Sequence, residues 1–145
     1  MMTLSNTAVL FIDTTFIDNK YTLDDNDSSY TRDYNKMKKL LDNDLLQIKE
    51  DNVIFLVGET CGTNALIIDY AREYGYPLVI FPTYWDKYKE AENIRNNIMK
   101  EFMQKYKHRY ILYYKDKKSD DYKFGNVVTM SRESKTPLIW KEIHI

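Results

Sequence analysis

The chain has 145 residues and a formal net charge of −1, with 21 basic residues against 22 acidic ones. That length fits one domain, and the charge balance excludes the broadly basic surface that a nucleic-acid polymer demands. Cys61 is the only cysteine and there are two histidines, which excludes an internal disulfide and leaves no zinc-ligand pattern.

The first apolar run, residues 7–12 (TAVLFI), is short and partly β-branched and reads as a buried strand. A polar, acidic loop follows (DTTFIDNKYTLDDNDSS). Asp24, Asp25 and Asp27 lie in it without the spacing, Gly or Glu of a calcium loop, and read as a solvated stretch. A helix is predicted over 31–50, because Met37, Leu40, Leu41, Leu45 and Ile48 recur at spacings of three and four. Residues 53–57 (VIFLV) form a continuous apolar strand of the kind buried in a parallel sheet. After the turn GETCGT, a helix is predicted over 64–74 with Ala65, Ile68 and Ala71 on one side. Gly75 supplies its left-handed stop, with Pro77 just beyond.

Residues 78–81 (LVIF) are the third strand, closed by Pro82. A helix over 87–106 is predicted to bury Ala91, Ile94, Ile98 and Phe102. Residues 110–114 (YILYY) are the fourth strand. The loop KDKKSDDYKFGN leads to a short helix over 126–134, and Pro137 opens the last strand, LIWKEIHI. Strict alternation of strand and helix predicts a single three-layer α/β domain. Its five-stranded sheet is mostly parallel and has helices on both faces.

In such a sheet, ligands bind beyond the carboxyl ends of the strands. Two of the four glycines, Gly58 and Gly62, fall in GETCGT at such an end. Gly58 is expected to take a positive φ and Gly62 to admit a close neighbour. The helix amides near Thr63, Asn64 and Ala65, with the helix dipole, favour an anion. The Thr60 and Thr63 hydroxyls add donors. Gly125 is expected to repeat the arrangement, ending a loop before a helix opened by Asn126, with Lys115, Lys117, Lys118 and Lys123 around it. Two such turns on one edge would hold a phosphate or diphosphate. The turn is neither a Walker motif nor a dinucleotide G-x-G-x-x-G. Glu59 is awkward beside phosphate, and suits a ribose hydroxyl or the role of a base.

Residues 81–99 (FPTYWDKYKEAENIRNNIM) place Trp85 and Tyr88, flat surfaces for a base, near the same edge. Arg95 and Asn96 follow, able to bond a base edge or clamp a phosphate. The glycine turn followed by W-x-x-Y and A-x-x-I-R-N-x-x-M resembles the SLOG superfamily, the Rossmann-like fold shared by LOG nucleotide hydrolases and Smf/DprA proteins. It looks closest to the small bacterial and phage branch related to YspA and YpsA. The matching residues are Gly58, Gly62, Phe81, Pro82, Trp85, Ile94, Arg95, Asn96 and Met99, so the resemblance covers about 53–103. It departs after the first strand, where Asp13-Thr14-Thr15 stands for Gly-Ser-Arg, and in the turn, where Glu59 and Asn64 replace Gly and Asp. The LOG catalytic glutamate position holds Leu66.

The resemblance implies a pocket for a nucleotide-derived small molecule. Asp13, Thr14, Gly58, Glu59, Thr60, Gly62, Thr63, Asn64, Trp85, Tyr88, Arg95, Asn96, Lys118, Gly125 and Asn126 would line it, with no cofactor or metal. Non-catalytic binding is the expected function, either sensing or phage sequestration of a cyclic-nucleotide or ADP-ribose-type immune signal. An N-glycosidic hydrolase or transferase using Asp13 or Glu59 is the alternative, as is a protein-interaction module with a vestigial pocket. Cys61 near a helix start, with no histidine nearby in sequence, is not read as a nucleophile. His108 and His144 read as surface or strand-face residues. Relatives that pair through helices suggest a homo-oligomer. With no run of the ~20 apolar residues a membrane span needs, and no signal-peptide start in MMTLSNTAVLFID, a cytoplasmic setting in a bacterium is expected. The Lys-, Asn- and Ile-rich bias fits an AT-rich genome.

Overall fold

The computed structural model describes residues 6–11, 30–48, 52–58, 63–81, 91–115 and 121–142. Nine elements alternate: β1 (Thr7–Phe11), α1 (Tyr30–Gln47), β2 (Val53–Val57), α2 (Thr63–Tyr74), β3 (Leu78–Ile80), α3 (Ala91–Met103), β4 (His108–Lys115), α4 (Asp121–Ser134) and β5 (Leu138–Glu142). The strands form one sheet in the order β3-β2-β1-β4-β5, and every neighbouring pair is parallel. This is a single Rossmann-like three-layer domain. The chain winds outward from β1 to β3, then crosses back to place β4 on the other side of β1. The order therefore reverses between β1 and β4, the switch point where open α/β sheets form their ligand crevice.

Strand alternation divides the core in two. Val9, Phe11, Phe55, Val57, Leu112 and Tyr114 face α1 and α2, where Met37, Leu41, Ile48, Leu66, Ile67 and Tyr70 pack on them. Ala8, Leu10, Leu56, Ile111 and Tyr113 face α3 and α4, and meet Met99, Met103, Val127 and Met130. Both faces of β1 are buried, as its unbroken apolar run requires.

The turns after α2 and α4 use one design. Gly75, at φ 73°, ends α2, and the Tyr76 amide donates to the Ala71 carbonyl at 2.9 Å. Lys135, at φ 53°, ends α4, and the Thr136 amide donates to the Ser131 carbonyl at 3.0 Å. A proline follows each, and the Pro77 and Pro137 carbonyls accept from Phe55 and Ile111 of the neighbouring strands. Proline lacks a donor, so its carbonyl alone enters the ladder there.

Two expectations about the helices fail. The helix near the C-terminus begins at Asp121, not 126, so Gly125 and Asn126 lie inside α4. The run Ser119-Asp120-Asp121 carries the residue types that favour a helix start, and one internal glycine costs only about 1 kcal/mol. The stripe predicted on α3 is also rotated. Ile94 and Ile98 are 39% and 52% exposed, whereas Arg95, Asn96, Met99 and Met103 are buried.

Candidate functional site

At the carboxyl edge the Gly58 amide donates to the Phe11 carbonyl at 3.0 Å, extending the β1–β2 ladder one residue past β2. Gly58 does not take the expected positive φ; of the described glycines only Gly75 does. Space explains it instead. A Cβ there would sit 3.3 Å from Arg95 Cζ and 3.4 Å from Met99 Sδ. The missing side chain lets α3 press its guanidinium against the turn.

Arg95 Nη1 donates to the Gly58 carbonyl at 2.9 Å, and Nε and Nη2 donate to Asn96 Oδ1 at 3.0 and 2.7 Å. Arg95 is 2% exposed and Asn96 9%. A guanidinium buried this deeply must have its donors met, because desolvating a charge is costly. The glycine turn and the Arg-Asn pair, 37 residues apart in the chain, thus form one unit.

The other predicted residues divide three ways. Thr63 opens α2 and Asn64, wholly buried, is its second residue, so the helix start falls at the predicted place in the chain. Gly125 and Asn126 do not form a second turn. As the fifth and sixth residues of α4 they stand inside its hydrogen-bond ladder, where their amides are spent on the preceding turn, so that half of the expected phosphate cradle is withdrawn. Asp13, Thr14, Glu59, Thr60, Gly62, Trp85, Tyr88 and Lys118 lie outside the described residues, as do Cys61 and His144. His108 is half-buried on β4, in keeping with a strand-face residue.

Sequence reasoning missed the buried acids of α1. Asp44 is wholly buried and accepts from the Tyr114 hydroxyl at 2.7 Å and from Lys141 Nζ. Asp33 is equally buried, 3.2 Å from Arg32 Nε. The signal was present: Asp33, Met37, Leu41, Asp44 and Ile48 continue one stripe at spacings of four and three. Burial and the nearby carboxylate push the Tyr114 hydroxyl well above the usual tyrosine range. Tyr70, bonded to Asp42 at 2.6 Å, and Tyr34, bonded to Glu73, are raised for the same two reasons, burial first.

Among the described residues no group of three His, Cys, Asp or Glu side chains could hold a metal, and no helix is long and apolar enough to cross a membrane. Among the described residues this edge carries a buried guanidinium bonded to Gly58 and, from Thr63, the start of α2. No family model, curated protein or solved structure matches the chain. The SLOG resemblance stands on its motif residues alone.

Proposed function

We propose that the protein binds a nucleotide-derived small molecule at the carboxyl edge of its sheet, without chemical conversion. The observation that carries this reading is the contact of Arg95 with Gly58. It joins two separate stretches read as ligand-binding into one rigid support at the end of β2. A cation bonded to Gly58 and the amides at the start of α2 both favour a phosphate-bearing ligand. The position that would carry a LOG-type glutamate is Leu66, which is wholly buried among apolar neighbours and out of reach of any ligand. Sequestration or sensing of a nucleotide signal, including a phage sponge for an immune messenger, is the role such a site would serve. Pairing of two copies through helices belongs to the same reading.

The test is mass spectrometry of small molecules released by heat from purified protein that has been incubated with a cell nucleotide extract. An intact nucleotide-derived compound is expected, retained by the native chain and lost from a folded Trp85→Ala variant and from Gly58→Val. Retention of nothing overturns the reading. Accumulation of free base or ribose phosphate, abolished by Asp13→Asn or Glu59→Gln, replaces it with N-glycosidic bond cleavage.

A further inference from the structure

Residues of α3 and α4 line a groove of about 360 Å³: Asn93, Asn96, Asn97, Thr129 and Met130, with Lys100 and Glu133. That volume lies within the range of small-ligand sites. Three asparagines within five residues are unusual in a helix, since asparagine is a weak helix former whose amide competes with the backbone. Asn93 and Asn97 are exposed one turn apart on the same face, so fold stability does not call for them.

Asn96 differs from both. Its Oδ1 takes two hydrogen bonds from Arg95, which sets the amide's orientation and leaves Nδ2 as the donor. No hydrogen bond of Nδ2 is present among the described residues. A donor fixed by a buried guanidinium is pre-organised, so little ordering is needed when it meets an acceptor. Met130, 7% exposed, gives the groove an apolar wall. Lys100 Nζ and Glu133 Oε2 lie 3.4 Å apart across the groove and offset each other's charge. The lining is therefore neutral, with carboxamides and one hydroxyl beside an apolar surface.

We infer that this α3–α4 groove is a second binding site, for an uncharged flat ring whose edge carries a donor and an acceptor side by side. Nucleobases and nicotinamide share that edge: Asn96 Nδ2 would donate to its acceptor, and the exposed amide of Asn93 or Asn97 would accept from its donor. The groove shares Asn96 with the Arg95 unit, while Asn93, Asn97, Thr129 and Met130 belong to the groove alone.

The test is a titration of the folded chain, followed by amide NMR, with adenosine, nicotinamide and glucose as separate probes. Adenosine or nicotinamide should shift the side-chain amide signals of Asn93, Asn96 and Asn97, and whichever binds more tightly names the ring. Asn96→Asp retains the acceptor for Arg95 and removes the donor, so the fold should persist while affinity falls about tenfold. Asn97→Ala, at an exposed position, should weaken binding to a similar extent. An absence of shifts at millimolar probe, equal shifts with glucose, or unchanged affinity in both variants would overturn the inference. Shifts of Asn93 and Asn97 that survive Trp85→Ala, the variant that tests the sheet-edge reading, belong to the groove, and their loss in that variant would overturn the inference.

Discussion

The two faces of the sheet solve the same packing problem with different chemistry. On the α1–α2 face, tyrosine hydroxyls are joined to carboxylates: Tyr30 to Asp69, Tyr34 to Glu73, Tyr70 to Asp42 and Tyr114 to Asp44. Tyr30 stacks on Tyr34 and Tyr70 on Phe55, which also stacks on Tyr76 at 4.8 Å. On the α3–α4 face a buried arginine is bonded to Asn96 and Gly58, and Met99, Met103 and Met130 belong to the apolar cluster there. A tyrosine buries a large ring and needs one acceptor at its tip, so it tolerates long helix-to-helix seams. A guanidinium needs several acceptors at once and fixes one local geometry. The first face is thus a distributed scaffold, and the second is organised around one point next to the candidate site.

Removing the deepest acceptor should break the scaffold most. Asp44→Ala leaves the Tyr114 hydroxyl buried without its acceptor and Lys141 without its partner, and should cost about 3–5 kcal/mol in urea unfolding. Asp44→Asn, which keeps an oxygen, should cost less. A loss under about 1 kcal/mol would show that the α1–α2 face does not depend on this acid.

On the other face, Met99→Ala should cost about 2–5 kcal/mol, whereas Ile98→Ala should stay within about 0.5 kcal/mol. The reverse order would restore the stripe read from periodicity and undo the rotation of α3.

Alkaline titration sharpens the contrast. Tyr34, Tyr70 and Tyr114 ionise above the ordinary value of about 10 because burial and carboxylates disfavour the phenolate. The folded state therefore holds these protons more tightly than the unfolded chain. The stability they contribute is fully present below pH ~10 and is lost as pH rises beyond it. Phenolate absorbance should lag in the native protein and appear with unfolding. Tyr70→Phe should cost about 1 kcal/mol at neutral pH and reduce the alkaline loss. The smallest effect concerns the paired turns. Lys135→Gly relieves a left-handed backbone at a site where α2 already uses Gly75, and should stabilise by about 0.5–1 kcal/mol in thermal unfolding.

Of the residues read from sequence as ligand-binding, the structure brings Gly58 and Arg95 into contact and bonds Arg95 to Asn96, a grouping the sequence left as two separate stretches. Gly125 was misread because a glycine after a lysine-rich loop looks like punctuation, whereas nothing within 4 Å of it demands a glycine. Asp33 and Asp44 were passed over because an acid on a helix is ordinarily solvated; only their place in the apolar stripe gave them away.

Periodicity, apolar runs and the Gly and Pro positions determined the nine elements, their alternation and the parallel sheet. These follow from local steric and burial rules that act within a few residues. Which helix face turns inward on α3, why Gly58 lacks a side chain and where the buried acids find partners were decided by tertiary structure. Each depends on hydrogen bonds between residues tens of positions apart, such as Arg95 with Gly58 and Tyr114 with Asp44, and no local pattern encodes them.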